Sequence, residues 1–88
     1  MRVFVLTINE VYDYEEFTHK PRVFATLKNA RKAKDEFVNN FKRTVDLTDT
    51  IDGDEWVEDI TDNTYDAYID GRYAENHYRV TIQSVEVQ

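Results

Sequence analysis

From Leu27 to Val45 the apolar residues Leu27, Ala30, Ala33, Phe37, Val38, Phe41 and Val45 recur at intervals that lay one stripe along an α-helix. No strand can hold that pattern, because strand side chains alternate with a period of two. Thr26 stands where an N-cap belongs, so a helix is predicted from Leu27 to about Arg43. Its other face shows Lys28, Arg31, Lys32, Asp35, Asn39 and Lys42, and Lys42 with Arg43 complements the negative end of the helix dipole. Arg31 and Asp35, one turn apart, are expected to form an ion pair worth about 0.3 kcal/mol.

One helix cannot bury its own stripe, so the rest of the chain has to supply a covering layer. Residues 2 to 9 are rich in β-branched and aromatic side chains, with Phe4, Leu6 and Ile8 on one face and Val3, Val5 and Thr7 on the other. They read as an inner strand. Glu10 to Pro21 is polar and Tyr-rich and reads as a loop, and Arg22 to Ala25 as a short strand. Asp52-Gly53 is a turn signal, and Glu55 to Ile60 is ambiguous between strand and one helical turn.

Tyr65, Ala67 and Ile69 alternate with Asp66, Tyr68 and Asp70, and Asp70-Gly71 predicts a two-residue hairpin. Asn76 to Gln88 closes the chain as a strand whose apolar register changes near Gln83 or Ser84, which predicts a bulge or an edge leaving the sheet. The expected architecture is α+β: an antiparallel or mixed sheet of three to five strands with one main amphipathic helix (about 27-43) packed on it. Residues 1-88 are expected to form a single domain, because 88 residues suit one compact core and no linker or repeat interrupts them.

Charge is divided along this frame. Lys20 to Arg43 holds eight bases against Asp35 and Glu36, whereas Thr44 to Gly71 holds ten carboxylates and no Lys or Arg. The formal net charge of −7 disfavours polyanions, so direct nucleic-acid binding and anionic membranes are not expected, and basic partners are. The chain lacks cysteine, which removes disulfides and thiolate chemistry, and its longest apolar run, Val3 to Leu6, is far short of a membrane span. A cytoplasmic protein is expected.

Catalytic and metal motifs do not emerge. His19 and His77 lack HExxH spacing and read as exposed loop residues, and Ser84 reads as an ordinary strand serine. An EF-hand placed on Gly53 would put Thr48 and Thr50 at the first ligand positions and Asp59 at the last, so the ligand types are wrong. No enzyme, cofactor or metal site is predicted. The tyrosines divide between core, Tyr78 most plainly, and clusters with acids at Tyr12-Asp13-Tyr14-Glu15 and Tyr65-Asp66-Ala67-Tyr68, a composition that suits a protein interface.

Val3-Phe4-Val5-Leu6, the acidic Tyr12-Asp13-Tyr14-Glu15-Glu16 segment, and Val23-Phe24-Ala25-Thr26 leading to Ala30 and Ala33 resemble small domains common in bacterial and phage genomes. The short, acidic, cysteine-free profile of the whole chain is also similar to phage-encoded anti-CRISPR and related host-takeover inhibitors. That resemblance implies a protein-binding inhibitor of a nucleic-acid-handling enzyme, some of which act by mimicking DNA, and it carries over no functional residue. The basic segment Lys20 to Arg43 departs from a uniformly acidic mimic.

The functional expectation is therefore a non-enzymatic binding module whose acidic surface engages a basic, nucleic-acid-binding protein as an inhibitor, with nucleic-acid mimicry as one mode. The residues expected to make that contact are Asp49, Asp52, Asp54, Glu55, Glu58 and Asp59, then Asp62, Asp66 and Asp70, with Tyr65 and Tyr68 among them. A second reading is a structural or self-assembling domain, in which the basic helix of one copy meets the acidic stretch of the next. A third is a small-ligand or cation-binding domain.

Overall fold

A computed structural model describes residues 1–88. The chain runs β1 (Arg2–Tyr12), β2 (Glu15–Thr18), β3 (Arg22–Phe24), α1 (Leu27–Thr44), β4 (Thr50–Ile51), β5 (Asp54–Ile60), β6 (Thr64–Ile69) and β7 (His77–Glu86). All seven strands join one antiparallel sheet in the order β2-β1-β7-β6-β5-β4, with β3 also paired to β1. The fold is mostly β, which corrects the expectation of an α+β domain with three to five strands.

The uncounted strands lie where hydrophobic alternation is absent. β1 runs on to Tyr12, turns through Asp13 and Tyr14 at φ of 52° and 67°, and returns as β2, all four of whose residues are exposed. A solvated strand has no apolar face to announce it, and this turn uses no glycine. β4 is two residues long and pairs with β5 through the Asp52-Gly53 turn, where both residues have positive φ.

One further expectation fails locally, and another resolves to the second of its two alternatives, an edge leaving the covered sheet. Asp70-Gly71 does not close a two-residue hairpin: β6 and β7 are joined by residues 70–76, and the Asp70 amide donates to the Glu55 carbonyl at 2.9 Å. That bond continues the β5–β6 ladder instead of starting a return. No bulge interrupts β7 either, because its pairing with β1 is unbroken from Val11↔His77 to Arg2↔Glu86. The polar change at Ser84 and Glu86 arises because β6 pairs with β7 only from His77 to Thr81, leaving the last residues of β7 outside the covered part of the sheet.

The helix packs on one face of β1 and β7. The Thr26 hydroxyl accepts from the Asn29 amide at 3.2 Å, satisfying one of the free N–H groups of the first turn. Ala30, Ala33, Val38 and Phe41 enter a core with Leu6, Ile8, Tyr65, Ala67, Tyr78, Val80 and Ile82. Phe41 stacks on Tyr78 at 4.2 Å between centroids and meets Trp56 and Tyr65 edge-on. Burying a side chain of this size contributes about 2–3 kcal/mol, against about 0.5 kcal/mol for an exposed ion pair, so this cluster and not the charges holds the layers together. The expected Arg31–Asp35 pair is not formed, since the Arg31 Nε donates to the Asn63 side chain at 3.0 Å.

Candidate functional site

The acidic stretch is folded into β4, β5, β6 and their turns, at one side of the sheet. Side chains alternate along β5 and β6, so Trp56, Glu58 and Ile60 share the helix side with Tyr65, Ala67 and Ile69, whereas Val57 and Asp59 share the other face with Tyr68 and Asp66. Tyr65, Ala67 and Ile69 are fully buried and anchor the segment. The carboxylates consequently divide between two faces, two turns and one edge.

Three of them are paired within the molecule, two sharing one cation. The Arg72 guanidinium in the β6–β7 loop binds Asp54 at 2.8 Å and Asp52 at 3.3 Å, and lies 3.5 Å from Glu75. Its hydrogen bond to Asp54 is the main cause of a guanidinium pKa above the usual value, although burial acts the other way. Glu58 takes the Lys42 ammonium at 3.4 Å from α1 and accepts the Tyr65 hydroxyl at 2.7 Å. The basic helix thus reaches the acidic segment through Lys42, through the Arg31 bond to Asn63, and through the buried Lys34, which donates to the Thr61 carbonyl at 3.2 Å.

Two acids sit in a polar network on the face away from the helix. Asp59 and Asp66 stand directly opposite each other, and Arg79 stands opposite Asp66 on the next strand. Like charges so placed repel. Burial raises the Asp66 carboxyl above its ordinary pKa, while the Tyr73 hydroxyl and Arg79 oppose that shift. Tyr73 donates to Asp66 at 3.2 Å and Tyr68 contacts Asp59 at 3.4 Å. Desolvation is the first cause that pushes both phenols upward, with the facing carboxylates adding to it.

Asp49, Glu55, Asp62 and Asp70 remain exposed and make no ion pair. Asp49 accepts the Thr50 amide at 3.0 Å. Of the eleven residues expected to contact a partner, Tyr65 is withdrawn outright: at 1% exposure it belongs to the core. Asp52, Asp54 and Glu58 already hold cations, Asp66 is half-buried, and Tyr68 is half-buried beside it. Asp49, Glu55, Asp59, Asp62 and Asp70 stay available, arranged around the β5 side of the sheet.

Elsewhere the chemistry is structural. His77 is buried at the start of β7, which corrects its reading as an exposed loop residue. Its Nδ1 lies 2.7 Å from the Tyr73 carbonyl, so that nitrogen carries the proton, and its Nε2 faces the Asn9 amide at 3.3 Å. His19 binds Glu10, which also accepts the Tyr12 hydroxyl at 2.8 Å. No three His, Asp or Glu side chains gather in a way that could hold a metal ion. No helix is long and apolar enough to cross a membrane.

Arg72 was the residue that sequence reasoning missed. It is the first base after a stretch without any, and its position beside Asp70-Gly71 was the available signal. The open groove between α1 and β5, about 370 Å³ and lined by Val38, Ile60 and Tyr65 among Lys34, Asp35, Asn39 and Lys42, had no signal because it joins residues far apart in sequence. No protein-family model, curated protein or solved structure matches the chain.

Proposed function

We propose that the protein is a non-enzymatic binding module that presents the acidic β5 side of its sheet to a basic surface of a nucleic-acid-binding protein, acting as an inhibitor of it. The observation that supports this reading is that Glu55, Asp59, Asp62 and Asp70 are exposed on ordered strands and turns with no Lys or Arg paired to them. Carboxylates held by a folded hairpin lose little conformational freedom on binding, so more of their attraction is retained as affinity than from a loose acidic tail.

Magnitude favours charge complementarity over imitation of a duplex. The seven residues of β5 span about 23 Å, a length over which duplex DNA carries roughly 14 charges. The whole acidic stretch has ten carboxylates, and Arg72 and Lys42 hold three of them. The surface is too sparse for a duplex and suits a cluster of Lys and Arg.

The test is capture of partners from host lysate by the protein and by the variant Glu55→Lys, Asp59→Lys, Asp62→Lys. These three side chains make no internal ion pair, so the variant is expected to melt with the parent. The parent should retain a nucleic-acid-binding protein that elutes as salt rises, and the variant should not. Equal capture by both proteins, or capture indifferent to salt, overturns the reading.

A further inference from the structure

β5 has no neighbour along most of its outer side. β4 covers only Asp54 and Glu55, and no strand lies beyond Trp56 to Ile60. The direction of the backbone groups follows from one bond: the Glu55 carbonyl accepts from Asp70 on the β6 side. Alternation then aims Val57 and Asp59 inward at Tyr68 and Asp66, and turns the N–H and C=O groups of Trp56, Glu58 and Ile60 outward. Sheet edges are normally covered or shortened, yet Ile60 on this edge is 61% exposed.

The two sides of the edge differ in character. On the face away from the helix stand the exposed carboxylates Glu55 and Asp59. On the helix side the edge adjoins the groove of about 370 Å³, whose apolar wall is Val38, Ile60 and Tyr65 and whose cations are Lys34 and Lys42.

We propose that the outer edge of β5 accepts an extended basic peptide as an additional strand, with a Lys or Arg side chain set against Asp59, another reaching diagonally toward Glu55, and the intervening apolar side chains in the groove beside Ile60. The proposal rests on the reading of the acidic side as a protein-binding surface and narrows the partner to a strand of alternating basic and apolar residues. Backbone bonds to Trp56, Glu58 and Ile60 supply the attraction, and the alternation supplies selectivity. On the groove side Lys42 is already paired with Glu58 and Lys34 with the Thr61 carbonyl, leaving Asp35 across the groove, so the apolar wall of Val38, Ile60 and Tyr65 is what favours apolar peptide side chains there. A second copy is the wrong occupant, because each antiparallel register centred on the free part of β5 sets like charges opposite, Glu58 on Glu58, or Asp59 on Glu55 or Asp59.

The probe is a synthetic Lys-Val-Lys-Val-Lys-Val peptide, followed by amide NMR shifts and Trp56 fluorescence of the full chain. Shifts should concentrate at Trp56 to Ile60, and binding should weaken as salt rises. N-methylation of the peptide amides that face β5 should weaken binding about tenfold or more while leaving its charge intact. Ile60→Pro, which removes an outward N–H at an exposed position, should have the same effect in a variant that melts like the parent. Undiminished binding of the N-methylated peptide, shifts centred elsewhere, no binding at all, or pairing of protein copies through β5 in the ultracentrifuge each overturn strand addition. If Glu55→Lys with Asp59→Lys abolishes binding but N-methylation does not, the acidic surface stands and strand addition falls. If the charge reversal has no effect, both fall.

Discussion

Raising the pH above the ordinary phenol range should unfold this protein through its buried tyrosines. Tyr65 and Tyr78 are 1% and 4% exposed. Burial is the first cause that raises both phenols from the ordinary value of 10, Tyr78 to about 12 with the Glu10 charge adding to it, and Tyr65 further with its bond to Glu58. Above that ordinary value the unfolded chain releases both protons while the folded chain keeps them, so the folded state binds more protons and stability falls as pH rises. Their contribution is complete below pH 10 and is lost progressively as pH climbs through the Tyr78 value. One proton costs about 1.4 kcal/mol per pH unit, so the pair removes about 2.7 kcal/mol per unit.

Tyr12 is raised as well, by burial and by Glu10, but it is partly exposed and is left out of that figure. A domain of this size has about 5–10 kcal/mol of stability to lose, so at about 2.7 kcal/mol per unit cooperative unfolding is expected about two units or more above the ordinary phenol value. Phenolate absorbance and far-ultraviolet circular dichroism, followed together, are the assay. Tyr65 and Tyr78 should ionise only as the dichroism collapses. Smooth ionisation of all six tyrosines around the ordinary value, with the fold intact, would refute the reasoning.

Two substitutions probe the frame that carries the site. Phe41→Ala removes the ring shared by Trp56, Tyr65 and Tyr78 and should cost about 3–5 kcal/mol in denaturant unfolding; a loss under about 1 kcal/mol would mean that the aromatic cluster repacks. Gly53→Ala places a Cβ at φ +85°, where nothing lies within 4 Å, so strain alone should cost about 1 kcal/mol and Gly53→Asn less. An unchanged midpoint for both would show that the Asp52-Gly53 turn relaxes freely.

Sequence reading was strongest where one apolar face is buried. The helix, with Thr26 as its cap, and the alternation of Tyr65, Ala67 and Ile69 were visible because burial imposes a period on the residue types. β2 and β4 were not visible, since an exposed four-residue strand and a two-residue strand impose no period. The two Asp-Gly steps show a different limit. Both glycines have positive φ, yet only Gly53 lies in a two-residue hairpin, because Arg72 folds back over Asp52 and Asp54 and draws the chain after Gly71 into a longer loop.

The functional surface was legible as composition but not as geometry. Ten carboxylates in sequence did not disclose that Arg72 and Lys42 hold three of them, that Tyr65 faces inward, or that Asp59 and Asp66 oppose each other across a ladder. Those facts depend on register, and register is set by pairings between distant segments.

The longest ladder in the sheet joins β1 to β7, and its partners are separated by 66 residues at Val11↔His77 and by 84 at Arg2↔Glu86. Such contacts require nearly the whole chain before they can form, so folding should be slow for this length, on the order of milliseconds to seconds. During synthesis β1 must wait for β7, with its apolar edge open, while α1 and the β5–β6 hairpin can form from local contacts. A ribosome-bound chain halted before His77 should therefore be helical yet sensitive to protease, and protection should arrive only with the last strand.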